Sequence, residues 1–245
     1  MKRPMRLIVD VARRATSNMA IDEILMLSQN AGGSLPTLRF YLWDHPTYSL
    51  GYFQNVEEVK RRFHCLEKDI HVVRRITGGG MVLHGEDLTF SLCLADPNKF
   101  FSADLKESYL KVNEALLAGL KPIDPDLDYA DCKTVPSGRG NRESICFEKL
   151  SCYDLLLRGK KVVGASQRRQ GRSILHQSTI FFDQDKKSLV NQIMKGFEAK
   201  WDVYFEEIPL REEELKRADE KENERFGSAE WAFPVRNTAV FHGVK

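Results

Sequence analysis

Residues 74–84 read RRITGGGMVLH. Glycine loses more backbone entropy on folding than any other residue, so a triplet inside an ordered chain is there for a geometry. Its flanks read as strands: HVVRRIT before it, then MVLHG and LTFSLCLA, the last with alternating apolar positions. One reading of the loop is a tight hairpin. The other is close approach of backbone amides to an acyl carbonyl, a phosphate or an extended chain. Neither GxGxxG nor the P-loop pattern occurs, so neither nucleotide fingerprint accounts for the glycines. Arg74 and Arg75 can supply charge to the loop, the alternative for one of them being a solvated strand residue.

Upstream, MRLIVDV opens the chain as a strand, and Thr16 or Ser17 is expected to cap a helix with Ile21, Ile24 and Leu25 on its apolar face. TLRFYLW and PTYSLGYFQN follow as aromatic-rich strands broken by Asp44-His45-Pro46, and residues 56–68 as a charged helix. Downstream, Ser102 is expected to start a helix whose face carries Leu105, Tyr109, Val112 and Leu116. Residues 121–144 are rich in Pro, Gly, Asp and Ser, and their second half reads as a mobile surface loop. SICFEK, YDLLLRGKKVVGAS and SILHQSTIFF read as strands, with Arg158-Gly159-Lys160 as a hairpin turn. A helix after Ser188 carries Val190, Ile193, Met194 and Phe197, and a highly charged helical segment covers about residues 209–231. The order is α+β, with mixed, largely antiparallel sheets flanked by helices in one domain over 1–245.

Composition narrows the function. Thirty-seven Lys and Arg against 35 Asp and Glu leave a net charge of +2, which does not suggest bulk nucleic-acid binding. No apolar run approaches the roughly 20 residues of a membrane span, and MKRPMRLIVDVARR lacks a signal-peptide apolar region, so a cytoplasmic protein is expected. The five cysteines, Cys65, Cys93, Cys132, Cys146 and Cys152, form no CxxC pair. Neither a disulfide framework nor a metal site is expected of them.

Two further stretches can carry chemistry. In GKKVVGASQRR (159–169), Lys161 sits in a β-branched run, where a lysine is either a solvated strand residue or an ammonium held over an acyl carbonyl. Alternation along the strand sends Lys160 to the opposite face. In SICFEK, Cys146 is either a buried structural thiol or a nucleophile, and the second role needs a nearby cation to favour the thiolate. Lys161 can supply that cation if a hairpin over 144–166 brings the two strands together.

These stretches together resemble the superfamily of lipoate–protein ligases, octanoyltransferases and biotin–protein ligases. The matching segments run in order: NMAIDEIL (18–25), LRFYLWDHPTYSLGYFQN (38–55), RRITGGGMVLHGEDLTFS (74–91), GKKVVGASQRR (159–169) and LHQSTI (175–180). Within it, CFEKLSCYDLLLRGKKVVGASQ (146–167) and FGSAEW (226–231) are similar to the cysteine-dependent octanoyltransferases that modify the glycine cleavage H protein. The resemblance implies that catalytic domain's fold, with Cys146 as acyl-accepting nucleophile and Lys161 over the acyl carbonyl. Gly78, Gly79, Gly80, Arg75 and His84 would line an acyl tunnel, with Gly164 and Ala165 of the lysine motif also binding substrate. Tyr41, Met81, Val82 and Leu83 are candidates for its apolar slot.

The implied reaction moves an octanoyl group from acyl carrier protein to Cys146, then to a lysine of a lipoyl domain such as the glycine cleavage H protein, with no cofactor and as a monomer. Two departures stand out. The family has His-Gly followed by Ser or Thr where this chain has Gln177-Ser178-Thr179, with His176 one place early, which leaves the role of an imidazole there open. The triplet followed by Met81 is more like the ligases, which use ATP and Mg²⁺. A ligase without a fused accessory domain, or a non-catalytic acyl- or partner-binding relative, are the alternatives.

Overall fold

The computed structural model describes residues 1–32, 34–63, 70–95, 100, 104–131, 133, 135, 147 and 150–232. The strands are β1 (Arg3–Arg13), β2 (Thr37–Trp43), β3 (Thr47–Leu50), β4 (His71–Arg74), β5 (Val82–His84), β6 (Leu88–Ala95), β7 (Leu127–Tyr129), β8 (Leu155–Leu157), β9 (Lys160–Lys161), β10 (Val163–Gln170), β11 (Ser173–Ile180) and β12 (Val203–Glu207). The helices are α1 (Ala15–Ser28), α2 (Val56–Phe63), α3 (Leu105–Leu120), α4 (Lys186–Trp201), α5 (Glu212–Lys221) and α6 (Ala229–Ala232).

The central sheet runs β10-β11-β6-β2-β1-β12. β1 is parallel to both β2 and β12, and the other neighbours are antiparallel. Both faces are covered, which is why β11 is buried at every position and β6 at nearly every one. Leu38, Phe40, Phe90, Leu92 and Ile174 pack on one side with α3 and α4. Tyr41, Trp43, Cys93 and Leu175 pack on the other with α1. The period of two along each strand divides the apolar residues between these two layers. Helices α3 and α4 cross closely: a Cβ on Gly119 would lie 2.2 Å from the Gln192 carbonyl oxygen, and one on Gly196 would lie 2.0 Å from that of Ala115.

The hairpin reading of the glycine loop is corrected by the topology. β4 and β5 do not pair with each other; β3 lies between them, parallel to β4 and antiparallel to β5. The loop therefore crosses the end of β3, where a Cβ on Gly51 would stand 2.0 Å from the Gly79 oxygen. Neither Arg74 nor Arg75 is solvated, at 2% and 6% exposure. Arg74 donates to the carbonyls of Gly51, Tyr52, Gln54, Trp231 and Ala232, which binds the start of the loop to residues after α5.

Several element boundaries differ from expectation. Helix α1 starts at Ala15 with Arg14 at its N-cap, because the Thr16 hydroxyl instead donates to Glu222 (2.6 Å). Asp104 caps α3, leaving Leu105 exposed in the first turn, and Asp185 caps α4 by accepting from the Ser188 amide. The expected cap Ser102 lies outside the described residues. The Pro- and Asp-rich stretch contains β7, which pairs with β8. Only Arg158 and Gly159 form the following turn, both with positive φ (51° and 78°), since Lys160 already pairs with Leu157. The charged segment divides into α5, a π-helical turn (Glu222–Phe226) and α6. The strand expected over 144–149 lies outside the described residues apart from Phe147, which is in a turn, and so do residues 64–68 of the second helix and 136–144 of the expected loop.

Candidate active site

A cavity of about 20 Å³, room for about one water molecule, opens between β3, β5, the start of β10 and the second half of β11. Its walls include Met19 from α1, Tyr41 and Trp43 from β2, Val82 and His84 from β5, and Gly164 and Ala165 from β10. Arg75 reaches it from the start of the glycine loop. Its guanidinium donates to Ser49 Oγ and Ser49 O (both 2.6 Å) and to the Gly78 and Gly80 carbonyls (both 3.0 Å). The loop's carbonyls thus turn inward onto a buried cation, and Gly79, at φ +89°, makes the bend between them.

One wall is a polar line across the small sheet. Ser49 Oγ is 2.6 Å from His84 Nε2, and His84 Nδ1 is 2.9 Å from Asp87 Oδ2. Asp87 also accepts from the Thr89 hydroxyl (2.7 Å) and the Gly85 amide (2.9 Å). Trp43 stacks on the imidazole at 4.0 Å and donates its indole N–H to Thr89. Burial pushes the His84 pKa down, and Asp87 only partly opposes it, so the ring is neutral at physiological pH. Burial also raises the Asp87 carboxyl, but the bonds from His84, Thr89 and Gly85 outweigh it and hold that pKa below the usual range.

The opposite wall hangs from Asp22 of α1, which is wholly buried. Its carboxylate accepts from Arg39 (2.8 Å), Tyr41 (3.0 Å), Ser91 (2.7 Å) and Gln177 (2.8 Å). Gln177 in turn accepts from Thr77, and Thr77 from Ser166, so one chain of hydrogen bonds runs from α1 to β10 past the glycine loop. Gln177 therefore occupies the wall at which the sequence left an imidazole open. His176 points to the other face of β11, against Phe90 and Tyr109, where burial alone drives its pKa down to about 3.

Of the residues singled out from sequence, Arg75, His84, Tyr41, Val82, Gly164 and Ala165 line the cavity. Met81 does not: alternation along β5 turns Val82 and His84 inward, and Met81 packs with Leu50, Val56 and Val59 instead. Leu83 points outward and is 46% exposed. Lys161 pairs with Asp154 at 2.7 Å, with only 6% of its side chain exposed, and lies 5.9 Å from the Phe147 ring. Lys160 is exposed. Cys146 lies outside the described residues. Sequence reading passed over Ser49, Asp87, Asp22, Thr77 and Ser166; the only local signal was the His84-x-x-Asp87 spacing. Among the described residues no group of three or more His, Cys, Asp and Glu side chains is placed to hold a metal ion.

Residues 14–217 match the lipoyl protein ligase A/B catalytic domain. Octanoyltransferase LipM of Carboxydothermus hydrogenoformans is 38% identical over 184 residues, covering 75% of this chain and 67% of that one. Octanoyltransferase LipM of Bacillus subtilis is 29% identical over 259 residues, covering 88% and 93%. Among solved structures, a putative lipoate protein ligase from T. acidophilum superposes with a TM-score of 0.77 over 96% of this chain and 100% of that one, at 23% identity.

Proposed function

The chain belongs to the lipoyl protein ligase A/B catalytic domain family, and we propose that it is an octanoyltransferase of lipoate biosynthesis. The observation that carries this reading is the identity with octanoyltransferases across most of the chain. The donor is octanoyl acyl carrier protein and the acceptor a lysine of a lipoyl-domain protein such as the glycine cleavage H protein. The enzyme works as a cytoplasmic monomer without a cofactor. No helix among the described residues is long and apolar enough to cross a membrane.

Cys146 attacks the thioester carbonyl and holds the octanoyl group while the carrier thiol leaves; the acceptor amine then attacks the new thioester. A covalent intermediate lets two bulky protein substrates bind in turn. Lys161, buried against Asp154, supplies the cation for the oxyanion of each half-reaction. The octanoyl tail enters between Met19, Tyr41, Trp43 and Val82. Each methylene buried there is worth about 0.8 kcal/mol. Seating the chain requires these side chains to move apart, because the cavity holds only about 20 Å³.

The test is intact mass after incubation with octanoyl acyl carrier protein in the absence of ATP. The wild-type protein should gain one octanoyl group and Cys146→Ser none. Lipoylation of the acceptor that needs ATP and Mg²⁺, with no acyl-enzyme formed, would replace this reading by a ligase.

A further inference from the structure

The transfer needs a proton acceptor: when an amine attacks the thioester, the new C–N bond leaves a positive nitrogen that must lose a proton. The polar line across the small sheet fixes where that proton can go. Arginine can only donate hydrogen bonds, and an ionised carboxylate can only accept them. Asp87 therefore accepts from His84 Nδ1–H. In the neutral ring that leaves Nε2 as the acceptor, so the Ser49 hydrogen turns to it, while Arg75 Nη1 donates to the same hydroxyl oxygen. The direction is set from the Asp87 end. A nucleophile–base–orienter line results, with a hydroxyl at the cavity end and a neutral imidazole behind it. Among the described histidines, His84 alone lines the cavity.

We propose that Ser49, His84 and Asp87 form the proton relay of acyl transfer, with the Ser49 hydroxyl as the group that meets the acceptor amine. The amine nitrogen bonds to the thioester carbon. Its proton passes to Ser49 Oγ as the Ser49 proton passes to His84 Nε2, and Asp87 faces the imidazolium so formed. The C–S bond breaks, and the proton returns through Ser49 to the departing sulfur. Amine and thioester become amide and thiol, with no proton gained or lost. Arg75, on the far side of Ser49, disfavours a lasting imidazolium and so favours that return. Trp43, stacked on the ring and bonded to Thr89, keeps Nε2 aimed at the hydroxyl.

The proposal rests on the reading of Cys146 as acyl carrier, so the experiment separates the two. Octanoyl-enzyme is prepared from wild type, Ser49→Ala and His84→Gln, then discharged with either the lipoyl-domain acceptor or hydroxylamine. Hydroxylamine is so weakly basic that it loses its proton without help. Starting from equal amounts of octanoyl-enzyme, both variants should transfer to the lysine roughly 10²-fold or more slowly than wild type, while their discharge to hydroxylamine slows far less. Equal slowing with both acceptors would mean that the line only positions the thioester, and would overturn the relay. So would an octanoyl group mapped to Ser49 itself. No acyl group on the wild-type enzyme would sink the Cys146 reading first, and the relay with it. If a variant melts early, wild type alone suffices. Two protons moving in one step give a curved dependence of lysine transfer on the D₂O fraction, and a straight line would overturn the relay.

Discussion

Lys161 and Lys160 are adjacent and chemically identical, and differ only in the face of β9 they occupy. Lys161 is tucked against Asp154, and Lys160 is exposed. In single-turnover kinetics, Lys161→Ala should slow both half-reactions by about 10²–10³-fold, the effect of losing one oxyanion donor, while Lys160→Ala stays near wild type. Equal small effects would reduce Lys161 to a structural ion pair. Arg75→Lys is a second test, since one ammonium cannot span Ser49 and the carbonyls of Gly78 and Gly80. The lost charged hydrogen bonds should cost about 2–3 kcal/mol in urea unfolding and suppress acylation. Arg75 and His84 were legible because they sit in a motif with the glycines. Ser49 was not, because a serine inside a strand carries no local mark. Its meeting with His84 depends on β3–β5 register, which sets Thr47 opposite His84 and puts Ser49 on the diagonal. Met81 was misplaced for want of the strand's phase.

Two close backbone crossings give a matched comparison between elements. Gly196→Ala drives a methyl into the Ala115 carbonyl and forces α4 away from α3, far from the cavity. Gly51→Ala drives one into the Gly79 carbonyl and displaces the glycine loop. Each should lower stability by about 1–3 kcal/mol in urea titration, as overpacking does. Only Gly51→Ala should lower kcat/KM per folded molecule; a similar loss from Gly196→Ala would mean that the α3–α4 layer also shapes the site. Most elements were legible from their period, whereas the short strands β7 and β12 were not, and neither were the ends. A cap is chosen by competition, and Thr16 is claimed by a glutamate 206 positions along the chain. The crossover was equally hidden: β4 and β5 look like hairpin partners until β3 is seen to lie between them.

Over the whole molecule, buried titratable groups set an acid limit. His176 titrates near pH 3 when folded and near 6.5 when unfolded. Between those values only the unfolded chain takes up its proton, so stability present above pH 6.5 is lost as pH falls, at up to about 1.4 kcal/mol per unit. His84, also lowered, adds in the same direction. Asp10, Asp87 and Glu214 extend the loss into the carboxylate range, because each is held below its ordinary pKa. Urea midpoints at pH 7 and pH 5 should fall together with pH, and His176→Leu should remove about 2 kcal/mol of the difference; an unchanged difference would show that this imidazole is protonated in the fold.

The tie from Arg74 to Trp231 and Ala232 also has a meaning in time. During translation Arg74 emerges 157 residues before its tryptophan partner. At ribosomal rates of about 5–20 residues per second, the interval is roughly 8–30 s. Arg6 waits longer still for Glu214. Until those partners are made, Arg74 holds only the Gly51, Tyr52 and Gln54 carbonyls, and Arg6 lacks the Glu214 carboxylate that pairs with it in the interior. A nascent chain stopped before Trp231 should therefore hold most of its sheet, with Arg74 tied on one side only until the last turn of helix is made.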